Sequence, residues 1–265
     1  MPSISTLLST LREQQPLVQC ITNYVAMNTA ANVLLAVGAS PAMVHDAGEA
    51  AEFARLAGAV TINIGTLSSH WLTGMLLAAQ AANETDKPWV LDPVAHFATQ
   101  LRRTATAELL ALNPTIIRGN ASEIMALAGG SNRGKGVDSQ DSVAEAEQAA
   151  LQLAKRQTAV VAVTGEIDFV TDGQQAARLQ GGSILMPKVT ALGCSLTCLI
   201  GAFAALAPKE PFTATVAALA CFKLAGEQAK QSSKGPGSFY VHFLDALTQL
   251  QPALLATKVS YHEAV

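Results

Sequence analysis

The sequence predicts an α/β fold with a mostly parallel sheet. Three observations carry this. Short runs rich in Val and Ile alternate with longer helical stretches, the connections between them are short, and the apolar runs close on polar turns such as Thr22-Asn23, Asp92-Pro93 and Thr164-Gly165. Alternation of this kind builds βαβ units with right-handed crossovers. Half of the 265 residues are hydrophobic but only 5% are aromatic, so the core is chiefly Ala, Leu and Val. Small apolar side chains let helices pack closely on a sheet.

The elements follow in order. Ser5 to Gln15 reads as an amphipathic helix, and Leu17 to Ile21 as a strand closed by Thr22-Asn23. Asn28 to Val37 is helical and Ala-rich, with Gly38 as its C-cap. Ala42-Met43-Val44 is expected as a second strand and Gly48 to Ala57 as a helix. Ala59 to Ile64 is a strand, 69–83 a helix, and Trp89-Val90-Leu91 a strand that ends at Asp92-Pro93. Residues 102–111 are helical, Thr115 to Ile117 extended, and Ser122 to Leu127 helical. After a polar glycine-rich loop from Gly129 to Ser139 come a helix over 141–156 and a β-branched strand from Ala159 to Val163. Phe169 to Thr171 and Ala176 to Leu179 flank Asp172-Gly173, a hairpin signature. The C-terminal half is expected to be mostly helical. No linker or composition break divides the chain, so one domain over 1–265 is expected.

Composition and patterning argue against several classes. The net charge is −3 and no Lys/Arg stripe appears, which argues against nucleic acid as a partner. The cysteines, Cys20, Cys194, Cys198 and Cys221, form no Cys-x-x-Cys pair and no zinc spacing. Scattered thiols on apolar segments fit a reducing cytoplasm, and Met1-Pro2-Ser3-Ile4 lacks a basic-then-apolar leader. Residues 189–207 carry no charge, but Gly193-Cys194-Ser195 interrupt them and Pro208 ends them. What remains has the length of a buried core helix, so no membrane partner is expected.

The familiar phosphate and nucleophile motifs fail. Gly129 to Gly136 nearly spells a P-loop, but Gly136 stands where the magnesium-binding Ser/Thr belongs, and the stretch follows a helix instead of a strand. There is no Gly-x-Gly-x-x-Gly after the first strand and no Gly-x-Ser-x-Gly elbow.

Three phrases at strand ends carry the chemistry. Asn120 with Glu123 three residues on is a capping-box pattern. The same carboxylate at a strand end is also suited to magnesium, which keeps several waters and takes one or two carboxylates. Asp92 is either a second acidic contributor or a turn residue. Arg118 closes a β-branched strand where a guanidinium grips phosphate oxygens. Thr164-Gly165-Glu166 follows another such strand, with a hydroxyl for a phosphate or for the turn. Gly193-Cys194 opens a long apolar helix, whose N-terminus favours an anion and is expected to lower a thiol pKa.

Taken together, the chain resembles the hydroxyethylthiazole kinases of the ribokinase-like superfamily. The resemblance runs nearly end to end. It rests on Gln19-Cys20-Ile21-Thr22-Asn23, Gly38 to Met43, Asn63-Ile64-Gly65-Thr66-Leu67, Leu91-Asp92-Pro93-Val94, Arg118 to Glu123, Val163 to Glu166 and Gly235 to Phe239, in that order and spacing. It implies a three-layer α/β/α fold with a mostly parallel central sheet. It also implies ATP- and Mg2+-dependent phosphorylation of the hydroxyl of 4-methyl-5-(2-hydroxyethyl)thiazole in thiamine salvage. On this resemblance Met43 and Asn23 line the thiazole pocket, with Ala191 and Gly193 against the substrate. Arg118 and Thr164 bind the ATP phosphates, and Asp92 and Glu123 serve the magnesium. Gly193 and Cys194 form the anion hole, with Cys194 where related kinases carry an Asp base. The family assembles as homotrimers with sites at subunit boundaries. One departure stands out: the family's usual Gly-Thr-Gly-Cys is here Ala191-Leu192-Gly193-Cys194. That leaves two further readings, a kinase for another small heterocyclic alcohol and a weakened thiazole-binding protein.

Overall fold

The structure, a computed structural model, describes residues 3–129 and 140–263. The glycine-rich stretch 130–139, and with it most of the near P-loop, lies outside the described residues. The chain opens with α1 (Ile4–Gln14), β1 (Leu17–Ile21), α2 (Met27–Val37), β2 (Ser40–Ala42), α3 (Ala50–Leu56) and β3 (Ala59–Asn63). It continues through α4 (Ser69–Glu84), β4 (Trp89–Asp92), α5 (Gln100–Leu110), β5 (Ile116–Asn120), α6 (Ala121–Ala128), α7 (Gln140–Gln157) and β6 (Val160–Thr164). The last part comprises β7 (Asp168–Thr171), β8 (Gln175–Leu179), α8 (Leu192–Leu206), α9 (Pro211–Ser232), α10 (Pro236–Gln249) and β9 (Val259–Glu263).

Among the described residues these strands form one sheet in the order β2-β1-β3-β4-β5-β6-β7-β8-β9. The pairings from β2 to β6 are parallel, and β7, β8 and β9 continue the sheet antiparallel. The strands read as continuous apolar runs because both faces are covered. On β6, Val160 and Ala162 face a core shared with α1, α2, α8, α9 and α10, while Val161 and Val163 face α6 and α7. Val60, Ile62 and Leu91 pack under α3 and α4. Helices on both faces make the three layers expected.

Helix ends obey local rules. Ser3 caps α1 by accepting the Thr6 N–H, and Ile4, Leu7, Leu8 and Leu11 supply its buried stripe. No helix among the described residues is long and apolar enough to cross a membrane, and α8 has 15 residues.

One expectation needs correction. The second strand is Ser40–Ala42, not Ala42–Val44. Its parallel register with β1, Leu17 opposite Ser40, takes Pro41 into the sheet, which an edge strand tolerates. Met43 and Val44 are thereby released into the loop beyond. The C-terminal part is mostly helical, as expected, and ends in a strand: β9 pairs along β8 from Val259 opposite Leu179 to Glu263 opposite Gln175.

Candidate active site at the carboxyl ends of the strands

Parallel strands deliver their carboxyl ends to one edge of the sheet, where ligands of open α/β folds bind. Here β1, β3, β4, β5 and β6 bring Asn23, Asn63, Asp92, Arg118 and Thr164 to that edge. The N-terminus of α8 closes over them with Gly193 and Cys194.

A hydrogen-bond chain links these residues. Asn23 Oδ1 accepts the Val25 and Ala26 N–H groups, each at 3.1 Å, at the start of α2. That orientation turns Asn23 Nδ2 inward, where it donates to Asn63 Oδ1 at 2.8 Å and to Cys194 Sγ at 3.3 Å. Asn63 Nδ2 donates in turn to Asp92 Oδ2 at 2.7 Å. The same oxygen accepts Thr197 Oγ1 at 2.8 Å and faces Arg118 Nη1 at 3.4 Å. The Cys194 thiol and the buried Asp92 carboxylate are therefore joined through two amides.

Asp92 is wholly buried, and its Oδ1 has no hydrogen-bond partner. Burial pushes its carboxyl up to about 6, against the pull of Arg118 and with a further push from the Glu123 charge. A buried acceptor without a donor, beside a second carboxylate, suits a hydrated cation. Glu123 serves two ends. Asn120 and Glu123 do form the capping box, with Asn120 N donating to Oε2 at 2.8 Å and Glu123 N to Asn120 Oδ1 at 2.9 Å. Its Oε1 accepts Ala95 N at 3.0 Å, which fixes the loop after β4. Each carboxylate oxygen keeps a further lone pair, so capping and cation contact are compatible. Among the described residues no group of three or more His, Cys, Asp or Glu gathers as a full metal cage. Magnesium needs none.

Arg118 bridges Asp92 and Thr164. Its Nη2 donates to Thr164 Oγ1 at 2.6 Å, and Thr164 Oγ1 reaches Gly119 O at 3.3 Å. The guanidinium also lies against the N-terminus of α8: a Cβ at Gly193 would sit 3.0 Å from Nη2. Glycine there lets the guanidinium approach the helix N-terminus, and a cation beside a helix N-terminus is a combination that favours an anion.

Ala191, the N-cap of α8, adopts φ +66°, a left-handed conformation that favours glycine. The family's usual glycine at this position therefore has a backbone reason, and alanine holds the same turn under strain. Leu192 is buried in the main core while bordering the cavity, so its side chain replaces a hydroxyl with packing.

Cys194 departs from expectation. Its thiol is pushed up to about 11, chiefly by burial and then by the Asp92 charge, with the Asn23 hydrogen bond opposing. Position at a helix N-terminus alone predicts the opposite direction. Burial and the neighbouring carboxylate win here.

A cavity of about 880 Å³ opens beside this cluster, bordered by Arg118, Thr164, Gly165, Ala191 and Gly193, and also by Ile184 and Lys223. Met43 lies elsewhere, one strand further out, in the loop after β2. Gln19, buried in β1, holds that loop by donating Nε2 to Val44 O at 3.0 Å and Ala50 O at 3.1 Å.

Several site residues escaped sequence reasoning. Asn63 had a signal, an amide closing a strand before Gly65. Thr197 had one too, one helical turn after Cys194. Lys223 is the only charged residue between Pro211 and Gly226, and Asp168 reaches it only through the fold.

The chain is similar to known proteins along nearly its whole length. A family model described as hydroxyethylthiazole kinase family matches residues 8–253. A hydroxyethylthiazole kinase of Rhizobium johnstonii is 68% identical over 249 residues, covering 94% of this chain and 93% of that protein. One from Cereibacter sphaeroides is 62% identical over 255 residues, covering 96% and 97%. The solved hydroxyethylthiazole kinase of Pyrococcus horikoshii superposes with a TM-score of 0.89 at 41% identity, covering 98% of each chain. A Staphylococcus aureus pyridoxal kinase solved with AMP-PCP and pyridoxal shares the fold alone, with a TM-score of 0.60 at 15% identity over 93% of this chain and 98% of that one. The chain therefore belongs to the hydroxyethylthiazole kinase family.

Proposed function

We propose that the protein transfers the γ-phosphoryl group of ATP to the hydroxyl of 4-methyl-5-(2-hydroxyethyl)thiazole at this strand-end cluster. The observation that carries the reading is the convergence of Arg118, Thr164 and the α8 N-terminus on one corner, next to the paired carboxylates of Asp92 and Glu123. Such transfers depend on positioning and charge neutralisation more than on covalent chemistry.

Arg118 Nη2 and Thr164 Oγ1 bind and orient the phosphates. The N–H groups at Gly193 and Cys194 stabilise charge that develops on the transferred group. Asp92 Oδ1 and the Glu123 carboxylate would hold magnesium, which would neutralise charge on the nucleotide phosphates. Asn23 and Met43 seat the thiazole, with Ala191 and Gly193 against its alcohol arm. Cys194 touches the hydroxyl. Its thiol stays protonated at neutral pH, and Asn23 donates to its sulfur, so it positions the alcohol instead of removing its proton. In a loose transition state little charge builds on the attacking oxygen, and a strong base is not needed.

Ala191-Leu192 supports a second reading, in which another small heterocyclic alcohol fits better. Steady-state ATP turnover with the thiazole alcohol beside other heterocyclic alcohols separates the two: the thiazole alcohol gives the highest kcat/KM, and a better competitor overturns the assignment.

The same reading places the chain as one ribokinase-like domain over 1–265, in the cytoplasm, as a homotrimer with the site at subunit boundaries. Tyr24 and Val25 support the boundary: they are 67% and 58% exposed immediately after Asn23, and the Tyr24 ring packs on Trp71 at 4.7 Å. Light scattering is expected to give three times the 27.5 kDa chain mass. A fully active monomer contradicts it.

A further inference from the structure

Two charged side chains outside this account meet beneath the turn after β6. Lys223, on α9, and Asp168, the first residue of β7, are each 6% exposed, with Nζ and Oδ1 3.1 Å apart. Lys223 Nζ also donates to Gly165 O and Glu166 O, both at 2.8 Å. Asp168 Oδ1 accepts the Gly165 N–H at 2.9 Å. The ammonium has three hydrogens and three acceptors, so it is fully engaged within the protein. The backbone of Lys223 serves a second wall of the cavity, accepting Gly182 N–H at 3.0 Å. Gly182 stands at φ +84°, and a Cβ there would lie 3.3 Å from Lys223 Cδ.

Stability does not account for this arrangement. A buried ion pair loses hydration that its attraction scarcely repays, and well-packed apolar residues often do as well. What the pair does is fix dipoles. It engages two successive carbonyls of the turn that begins at Thr164. Each trans peptide sets N–H opposite C=O, so the Glu166 and Ile167 N–H groups are turned to the other side. Carbonyl oxygens that would repel a polyphosphate are held on a cation, and the turn is set before any ligand arrives.

We propose that Lys223 and Asp168 are positioning residues for ATP, holding the Thr164–Ile167 turn in the conformation that receives the polyphosphate without touching it. This rests on the placement of the ATP phosphates at Arg118 and Thr164. The loss of preorganisation should fall on ATP and leave the thiazole side alone.

Steady-state kinetics with each substrate varied in turn tests this on Lys223→Met, on Lys223→Met with Asp168→Asn, and on Lys223→Arg. The double variant leaves no unpaired buried carboxylate. KM for ATP is expected to rise about tenfold in the first two, with KM for the thiazole alcohol within about twofold of wild type, and Lys223→Arg to fall between. An unchanged KM for ATP in the folded double variant, or an equal rise in both KM values, overturns the proposal. If neither Met variant folds, Lys223→Arg decides, a wild-type KM for ATP overturning it. Thr164→Val separates the two levels. If it too leaves KM for ATP unmoved, the phosphates do not lie at this turn and the underlying reading fails. If it raises that KM while the lysine variants do not, only the role of the pair fails.

Discussion

Arg118 Nη2 donates to Thr164 Oγ1 at 2.6 Å, tying the ends of two neighbouring parallel strands across the mouth of the cavity. The planar guanidinium faces Asp92 with its other terminal nitrogen, Nη1. A lysine ammonium lacks that fixed fork geometry. Arg118→Met is therefore expected to lower kcat/KM for ATP by about ten- to a hundredfold, the value of a charged hydrogen bond, and Arg118→Lys to recover little of it. Full recovery by lysine in a steady-state assay contradicts the bridging role.

Cys194 is expected to behave as a thiol. With its pKa pushed up to about 11, only about one part in a thousand is thiolate at pH 8. Alkylation of Cys194, followed by mass spectrometry, should be slow at neutral pH and accelerate about tenfold per pH unit up to pH 10. Cys194→Ser should keep turnover within about tenfold, whereas loss of a general base costs about a hundredfold or more. Rapid labelling at pH 7 contradicts the raised pKa.

The left-handed backbone at Ala191 is a local cost. Glycine has no Cβ clash there, though it loses more chain entropy on folding. Ala191→Gly is expected to stabilise the protein by about 0.5–1 kcal/mol, read as a higher urea midpoint at constant m-value. A lower midpoint means the alanine methyl makes packing contacts that outweigh the strain.

Asp92 sets site chemistry against stability. Its native pKa, about 6, lies above the unfolded value of 3.8, so the folded state holds the proton more tightly. Its favourable contribution is full below pH 3.8 and is lost as pH rises through about 6. Above that, the buried charge costs up to about 3 kcal/mol. Asp92→Asn, compared by urea unfolding without ligands, should match wild type near pH 4, gain up to about 3 kcal/mol on it by pH 7, and lose turnover. A wild type that gains on the variant as pH rises contradicts the assignment.

Much of this was legible in sequence because strand ends and caps are local. The polar turns after β1, β4, β5 and β6 mark the edge of the candidate site, and Asn120 with Glu123 spells the cap that forms there. What escaped is non-local. β2 takes its register from β1 and carries Pro41 into the edge, which its own apolar pattern does not announce. β9 pairs with a strand 80 positions earlier, Val259 against Leu179. The Cys194 thiol follows burial and the charge of Asp92, over a local rule about helix ends. Asp168 and Lys223 lie 55 positions apart, and only the fold makes them neighbours.

The central claim is that Glu123 serves phosphoryl transfer as well as the start of α6. Turnover of Glu123→Gln with the thiazole alcohol, at saturating magnesium and ATP, tests it most directly. The glutamine retains one acceptor oxygen and removes the charge. The account predicts kcat lower by about a hundredfold or more in a folded protein, the scale of a lost charge-stabilising group. Wild-type kcat would reduce Glu123 to a helix cap and contradict the claim.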